Sequence, residues 1–257
     1  AELQVPLLRE LPAVKRLDLE LSARYTDVST SGNDTTYKVG LNWDIVGGLR
    51  LRASQGTSFR SPALYELYLN DQVSFPRVAD PCSNWGTALA NGGITQLIAD
   101  NCAAEGIEPD FRPPATSNTA VAGGGLGNLV AETSTARTIG LVYTPEWTNF
   151  SMSVDYFDIE IEGEVTQLTA AQVVGGCYAS TEFSTEPLCN LFERNDLGQV
   201  DNIRLDYLNI ASQFNRGFDF IFNYNKDTEY GQFFANYNHT IQIEAAQQLL
   251  PTSPVEN

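Results

Sequence analysis

Residues 49–68, LRLRASQGTSFRSPALYELY, contain a β-strand followed by the start of a long, turn-rich loop. Successive side chains of a strand point to opposite faces, and here the two sets are Leu49, Leu51, Ala53 and Arg50, Arg52, Ser54. A soluble sheet would bury its apolar face in a core, but the chain has few other core-filling residues and its connections differ sharply in length. The stretch therefore predicts the wall of a membrane barrel that encloses water, with Arg50 and Arg52 facing the lumen.

The same alternation recurs along the chain and predicts an all-β fold of about eight strands in an antiparallel meander. The expected strands are residues 1–8, 17–25, 37–45, 49–57, 133–144, 150–161, about 25 residues from Val200, and 233–243. The parity of the alternation changes after Tyr156, so that Phe157 begins a second apolar series. A change of parity by one residue predicts a β-bulge.

The connections between the expected strands fall into two classes. Short turns are expected at 9–16, 46–48, 145–148 and 226–230, an intermediate turn at 28–34, and long loops at about 58–132, 164–199 and 245–257. In a meander the two classes lie on opposite edges of the sheet, which is typical of outer-membrane barrels with long extracellular loops. The segment GGGLGN (123–128) lacks the Lys and Ser/Thr of a phosphate-binding loop and is expected to be a flexible linker.

The four cysteines form two local pairs inside the long loops. Cys82 lies near Cys102, and Cys177 lies near Cys189, without the spacing of a zinc or thioredoxin motif. The single histidine, His239, also argues against zinc. The pairs predict two disulfides formed in an oxidising compartment, each stabilising its loop by about 3 kcal/mol.

The net charge is −17, from 32 acidic and 15 basic residues. Nucleic acid is therefore not an expected partner, because phosphate binding needs clustered Lys and Arg. The acidic excess fits either simple solubility or a surface or lumen that attracts cations or sugars. Five acids at near-regular spacing are predicted to line the lumen rather than form a glycosidase or calcium site: Asp155, Asp158, Glu160, Glu162 and Glu164. With one histidine and no GxSxG motif, we expect no enzyme, no catalytic residues, no metal and no cofactor.

Several segments resemble TonB-dependent outer-membrane receptors, and their order and spacing carry the resemblance. They are VPLL (5–8), LDLELSARYTDVS (17–29), TTYKVGLNWDIVGGLRLRASQGTSFRSPALYELY (35–68), NLVAETSTARTIGLVYTPEWTNFSMSVDYFDIEI (128–161) and NIASQFNRGFDFIFNYN (209–225). The resemblance implies a 22-stranded transmembrane barrel with an N-terminal plug domain in the Gram-negative outer membrane. It also implies import of a large, scarce solute, powered by the TonB complex. The chain has about eight such strands, no plug domain, no TonB box and no terminal aromatic residue, so we expect residues 1–257 to be a middle-to-late portion of the barrel.

The long loops carry the candidate ligand-binding residues, because aromatic and polar side chains on loops suit sugar stacking or capture of a chelate. They are Arg60, Tyr65, Tyr68, Arg77, Trp85, Asp110, Phe111, Arg112 and Tyr178. The alternative for Arg60, which the family places where a strand leaves the wall, is a bracing role at the barrel rim. The alternative for the aromatic residues is a small core beneath the disulfides.

The expected function is binding and import of an oligosaccharide, an iron chelate or cobalamin, and the length of the cysteine loops slightly favours an oligosaccharide. Membrane lipid is an expected partner, and the TonB complex is one for the full-length protein only. The alternative is a soluble or surface-attached β-sandwich that binds carbohydrate or mediates adhesion. An outer-membrane enzyme with a small barrel would need a catalytic cluster that the sequence does not offer.

Overall fold

The computed structural model describes residues 1–114 and 117–248, and β-strands are its main elements. The strands, in chain order, are β1 (Glu2–Leu11), β2 (Val14–Val28), β3 (Gly32–Asp44), β4 (Leu49–Arg60), β5 (Gln72–Ser74), β6 (Ala120–Ala122), β7 (Glu132–Tyr143), β8 (Phe150–Gln167), β9 (Glu193–Arg194), β10 (Val200–Asp201), β11 (Ile203–Arg204), β12 (Tyr207–Thr228) and β13 (Gly231–Gln248). Eight of them form one sheet in the order β1-β2-β3-β4-β7-β8-β12-β13. This sheet confirms the predicted all-β meander.

Helices and short strands occupy the two long connections of the sheet. The helices are α1 (Leu64–Tyr68), α2 (Trp85–Ala90), α3 (Gln96–Ala104) and α4 (Ala170–Ala179), with 3₁₀ turns at Phe183–Thr185 and Pro187–Leu191. The remaining strands form a pair, β10-β9, and a three-stranded sheet, β11-β6-β5. No helix within the described residues is long and apolar enough to cross a bilayer.

The chain divides into two compact units, each described by itself below. The sheet unit comprises Ala1–Ser61, Val130–Glu164 and the described residues from Ile210 onward. The loop unit comprises Pro62–Leu129 and Val165–Asn209, without the two undescribed positions 115 and 116.

The strand register gives the sheet unit one apolar and one polar face. Leu51 is paired with Trp43 on one side and with Leu141 on the other, so these three side chains share the apolar face. The next residue, Arg52, is paired with Asn42 and lies on the polar face. The predicted alternation of β4 is therefore confirmed. Within the described chain these eight strands form one sheet, not the two packed sheets of the β-sandwich alternative.

The connections are sorted by length between the two edges of the sheet. One edge carries the short turns at 12–13, 45–48, 144–149 and 229–230. The other edge carries a turn at 29–31 and the two long connections, 61–131 and 168–206. This is the predicted asymmetry, although several boundaries differ from the prediction.

Two hairpin turns are shorter than the polar residues on either side of them led us to predict. The turn expected at 9–16 is only Pro12-Ala13, because Leu11 pairs with Val14 and Ala13 takes the left-handed backbone conformation with φ of 61°. The turn expected at 28–34 is also short, because Gly32, with φ of 84°, already pairs with Val28. Polar side chains beside a turn can continue the strand ladder, since one face of this sheet is polar.

The ends of the long loops also differ from the prediction. Strands β4 and β8 extend to Arg60 and Gln167, so the loops begin later than the predicted residues 58 and 164. The strand expected from Val200 begins at Tyr207, and the short strands β10 and β11 precede it, separated by Asn202 with φ of 51°. The loop expected at 245–257 is wrong for residues 245–248, which belong to β13, and residues 249–257 lie outside the described part of the chain.

The bulge predicted at Phe157 is absent from the pairing of β8 with β7, which runs from Met152 to Glu162 without a register shift. Phe157 instead lies on the polar face over Gly217, where an added Cβ would come within 2.7 Å of the Phe157 ring. Because Gly217 on the neighbouring strand has no side chain, the Phe157 ring fits on the polar face, where a polar residue is expected. Register shifts occur at Arg216/Gly217 and at Pro6/Leu8.

Candidate functional site

Side chains from six strands line a groove on the polar face of the sheet unit. They include Asn42, Arg52, Ser54, Thr138, Asp155 and Asp219. A face to which successive strands all contribute polar groups is what the lumen wall of a transmembrane barrel requires.

Several charged and acidic groups of this groove have partners within it. Arg52 donates two hydrogen bonds to Asp155, from Nε to Oδ1 at 2.7 Å and from Nη2 to Oδ2 at 2.6 Å. Gly140 makes room for this pair, because an added Cβ would overlap the Asp155 carboxylate. Asn42 Nδ2 donates to Glu20 Oε1 at 3.0 Å. The Arg52–Asp155 pair neutralises itself, and the groove carries hydroxyl and amide groups together with the charged side chains of Glu20, Lys38 and Asp219.

The prediction that the acids of β8 line the lumen together is wrong for most of them. Asp155 pairs with Gly140 and lies on the polar face, whereas Asp158 pairs with Arg137, three positions away along β7, and so lies on the opposite face. Continuous pairing places Glu160 and Glu162 with Asp158. Arg216 links Asp158 to Glu244, with both N–O distances at 3.0 Å.

Arg60, at the end of β4, braces the edge of the sheet. Its Nε donates to Glu132 Oε2 at 2.7 Å, and its Nη2 donates to the other carboxylate oxygen. Glu132 begins β7 and is almost buried, so the pair joins the ends of two neighbouring strands. This geometry favours the bracing role for Arg60 over a ligand contact.

The loop unit contains both predicted disulfides, Cys82–Cys102 and Cys177–Cys189. One amide connects the segments that they close. Asn101 Nδ2 donates to the carbonyl oxygens of Tyr178 at 2.9 Å and Ser180 at 2.8 Å, and the Asn101 side chain is buried. The two long connections therefore form one body rather than two separate loops.

Arg194 makes hydrogen bonds to several groups of the loop unit, and no sequence pattern indicates this role. It donates to both oxygens of Asp80, at 2.7 and 3.0 Å, and to Tyr178 Oη at 2.6 Å. Burial by itself lowers the pKa of Arg194, but the hydrogen bonds and charge of Asp80 outweigh burial and raise it. A guanidinium that is 12% exposed and held in this way remains charged at every physiological pH.

Tyr178 is fully buried and lies in the same network. Its hydroxyl donates a hydrogen bond to Glu105. Burial, as the larger effect, and this hydrogen bond both raise the pKa of Tyr178, although the positive charge of Arg194 opposes them. The other buried or half-buried candidates are also structural: Trp85 Nε1 donates to Ile107 O at 2.9 Å, and the Phe111 ring lies under the Arg194 guanidinium. These three candidates thus belong to the small core that was the alternative to ligand binding.

The other five candidates are exposed on the loop unit: Tyr65, Tyr68, Arg77, Asp110 and Arg112. Tyr65 and Tyr68 lie on α1, and their exposed fractions are 61% and 53%. The sequence predicts an irregular loop in place of α1, because five residues are too few to show helical periodicity.

The segment predicted to be a flexible linker packs against α1 instead. Gly124 N donates to Leu69 O at 2.8 Å, and Gly125 N donates to Glu66 O at 2.9 Å. An added Cβ on Gly124 would overlap the carbonyl oxygen of Leu67. Gly124 is required because two backbones approach closely, whereas Gly127, with φ of 86° and no atom near an added Cβ, is required by the turn of the chain.

Within residues 1–114 and 117–248, no group of three or more His, Cys, Asp and Glu side chains is arranged to hold a metal ion. The candidate surfaces are therefore the polar groove of the sheet unit and the exposed aromatic residues of the loop unit.

Comparison with known proteins gives a family match along nearly the whole chain. A family model described as TonB dependent receptor-like, beta-barrel matches residues 1–254. The chain is similar in structure to the siderophore receptor PirA from Acinetobacter baumannii, with a TM-score of 0.53 and 13% identity, covering 89% of this chain and 26% of that chain.

Two further structures have the same kind of fold. A mutant of the ferric enterobactin receptor PfeA from Pseudomonas aeruginosa, in complex with enterobactin, gives a TM-score of 0.51 and 14% identity over 90% of this chain and 25% of that chain. The RagAB peptide importer gives a TM-score of 0.51 and 15% identity, covering 91% of this chain and 21% of that chain. The chain thus spans about a quarter of the length of the structures that it matches, and identities this low establish the fold alone.

Proposed function

The chain belongs to the family of TonB-dependent receptor β-barrels, and we propose that it works in a receptor that binds a large, scarce solute and carries it across the outer membrane to the periplasm. The candidate solutes are an oligosaccharide, an iron chelate or cobalamin. Members of this family are transporters, and we propose transport rather than catalysis for this protein.

The exposure of large apolar side chains on one face of the sheet carries this proposal. Ile139 is 50% exposed, Leu141 is 44% exposed and Ile241 is 46% exposed. A soluble protein rarely exposes a continuous apolar surface of this kind, whereas a lipid-facing barrel wall requires one. Membrane lipid is therefore the proposed partner of this face.

The short-turn edge of the sheet supports the same orientation. Trp147 is 78% exposed and Tyr230 is 95% exposed, and both lie in short turns. Aromatic residues at such positions are typical of the girdle that meets the membrane interface. We assign this edge to the periplasm and the long connections to the cell exterior, where the solute would bind first. Energy would come from the TonB complex acting on the full-length receptor.

Site-directed labelling of the full-length receptor tests the membrane assignment. Single-cysteine variants Leu51→Cys and Arg52→Cys would each carry an environment-sensitive fluorophore in liposomes whose acyl chains contain a bromine quencher. We expect quenching at position 51 and little at position 52, because the two side chains point to opposite faces. Equal quenching at both positions, or quenching at 52 alone, would contradict a lipid-facing Leu51.

An uptake experiment tests import. Cells that express the full-length receptor should take up its labelled solute, and deletion of the energy-coupling partner should abolish uptake while surface binding remains. Uptake that continues unchanged without this partner would contradict TonB-dependent transport and favour a passive channel.

A further inference from the structure

The loop unit has a charge that disfavours anionic solutes. Its sequence contains thirteen acidic residues against four arginines, with no lysine or histidine. Arg194 is bound by Asp80, and Arg204 contacts Asp206 at 2.9 Å, so Arg77 and Arg112 are the remaining basic side chains. Recognition of a multiply charged anion needs converging basic groups, and a negative field lowers its rate of approach.

The same unit presents two exposed tyrosines on one short helix. Tyr65 and Tyr68 are three positions apart on α1, which places them on neighbouring parts of one helix surface. We call these two residues the tyrosine ledge. Both residues are more than half exposed, whereas Leu67 between them is 2% exposed and points into the unit. An exposed aromatic ring with a hydroxyl group offers both an apolar face and a hydrogen-bonding edge.

The tyrosine ledge rests on a fixed support. Leu67 packs with Leu129 and Val165, and Tyr207, which contacts this cluster, meets the Tyr65 ring edge-on at 6.2 Å between centroids. The Glu66 carboxylate accepts a hydrogen bond from Ala63 N at 2.7 Å, which closes the first turn of α1. A ring held in place before binding, as Tyr65 is by Tyr207, loses little conformational entropy on contact with a solute.

The polar face of the sheet unit also offers amide groups to a hydroxyl-rich solute, alongside the charged side chains of Glu20, Lys38 and Asp219. Beyond the Arg52–Asp155 pair, the polar face carries Asn223 opposite Asn236, and Ile221 opposite Asn238. The asparagine side chains are exposed. An amide both donates and accepts hydrogen bonds, as a sugar hydroxyl does, so it can bind either lone pairs or protons of a sugar.

We propose that the solute is an uncharged oligosaccharide and that the tyrosine ledge is a subsite on which a sugar ring stacks. This inference rests on the proposed function, and it adds the chemical class of the solute and one of its contacts. The acidic surface tolerates a neutral solute, the two tyrosines supply the apolar contact for the face of a pyranose, and the amides of the polar face suit its hydroxyl groups.

Calorimetry on the full-length receptor in detergent tests the proposal. The panel would contain linear hexasaccharides of α- and β-linked glucose, xylose and mannose, a ferric tris-catecholate complex, cyanocobalamin and a lysine hexapeptide, at low and high salt. We expect one oligosaccharide to bind with an affinity that salt does not change. Replacing both rings, Tyr65→Ala with Tyr68→Ala, should weaken binding about fivefold or more, since two aromatic contacts are lost.

Two variants control for damage to the fold. Leu126→Ala removes an exposed apolar side chain of the same unit outside α1 and should leave the affinity within about twofold of the original, since scattered surface changes are usually small. Tyr65→Phe retains the stacking face and should lose less than Tyr65→Ala.

Several results would overturn the inference. Binding of the ferric complex, cobalamin or the cationic peptide in place of every oligosaccharide would contradict the solute class but leave import intact. Failure of the whole oligosaccharide panel would also contradict it. Binding of an oligosaccharide that is unaffected by loss of both tyrosines would reject the ledge as a subsite. The labelling experiment above fails separately, because it does not depend on the identity of the solute.

Discussion

Arg194 donates two hydrogen bonds to the carboxylate of Asp80, although the two residues are 114 positions apart in the chain. Asp80 belongs to the first long connection of the sheet and Arg194 to the second. Asn101 joins the same two connections through the carbonyl groups of Tyr178 and Ser180. The loop unit is thus held by buried polar contacts between its two segments as well as by disulfides within each.

Arg194→Ala should destabilise the loop unit by about 3–5 kcal/mol, because Asp80, whose side chain is 5% exposed, would remain as an unpaired buried charge. Urea unfolding would be followed by the fluorescence of Trp85, in a receptor whose other tryptophans are replaced by Phe. The matched control is Arg204→Ala. Its ion pair with Asp206 is partly exposed, so its loss should cost no more than about 1 kcal/mol. Equal effects of the two variants would contradict a special role for Arg194.

Loss of either disulfide should destabilise the loop unit by about 3 kcal/mol, because each closes a loop of moderate length in the unfolded chain. The Cys82–Cys102 loop spans 20 positions and the Cys177–Cys189 loop spans 12, so Cys82→Ser with Cys102→Ser should have the slightly larger effect. Unfolding measured through Trp85, with and without a reducing agent, checks this. A reducing agent that further destabilises a variant lacking both pairs would show that the measured loss does not come from these bonds.

The stability of the loop unit should fall as the pH rises above about 10. In the unfolded chain Tyr178 ionises near its ordinary pKa of 10.0, whereas burial and the bond to Glu105 raise its pKa in the folded state. Above pH 10 the folded state therefore holds the extra proton, and stability decreases with pH by up to about 1.4 kcal/mol per unit. Tyr178→Phe should flatten this decrease, and Tyr68→Phe, on the exposed surface, should not. An unchanged slope in Tyr178→Phe would contradict the assignment.

The sheet could be predicted from the sequence because its information is local. Leu51 and Arg52 differ in polarity and are adjacent, and a period of two residues is visible without knowledge of any partner strand. Phe157 interrupts this alternation, and the β-bulge that its position predicts is wrong. Its place on the polar face depends on the absence of a side chain at Gly217, which lies on a strand sixty positions later in the chain.

The disulfide pairing is the part of the loop unit that could be predicted from the sequence. Two local cysteine pairs limit the possible partners, whereas nothing around Arg194 indicates that its partner is Asp80. Five of the nine candidate ligand-binding residues lie exposed on this unit, and Trp85, Phe111 and Tyr178 contribute to its interior. A loop that binds a solute and a loop that forms a small core can contain the same aromatic residues. Only the structure shows which of these side chains are buried.

Gly124 shows how a residue chosen for close packing can resemble a linker, and its substitution makes a direct test. Gly124→Ala should destabilise the loop unit, because the added methyl group would overlap the carbonyl oxygen of Leu67 and push α1 away from the hydrogen bond between Gly124 N and Leu69 O. Overpacking of this kind costs about 1–3 kcal/mol. Because α1 carries Tyr65 and Tyr68, solute binding at the tyrosine ledge should weaken as well.

Gly175→Ala is the matched control within the same unit. Gly175 lies inside α4, an added Cβ there has no neighbour within 4 Å, and alanine favours a helix over glycine by about 0.5–1 kcal/mol. We expect this variant to be slightly more stable than the original, again by urea unfolding followed through Trp85. If Gly124→Ala proves as harmless as Gly175→Ala, the glycine segment does act as a flexible linker, and the support proposed for the tyrosine ledge is wrong.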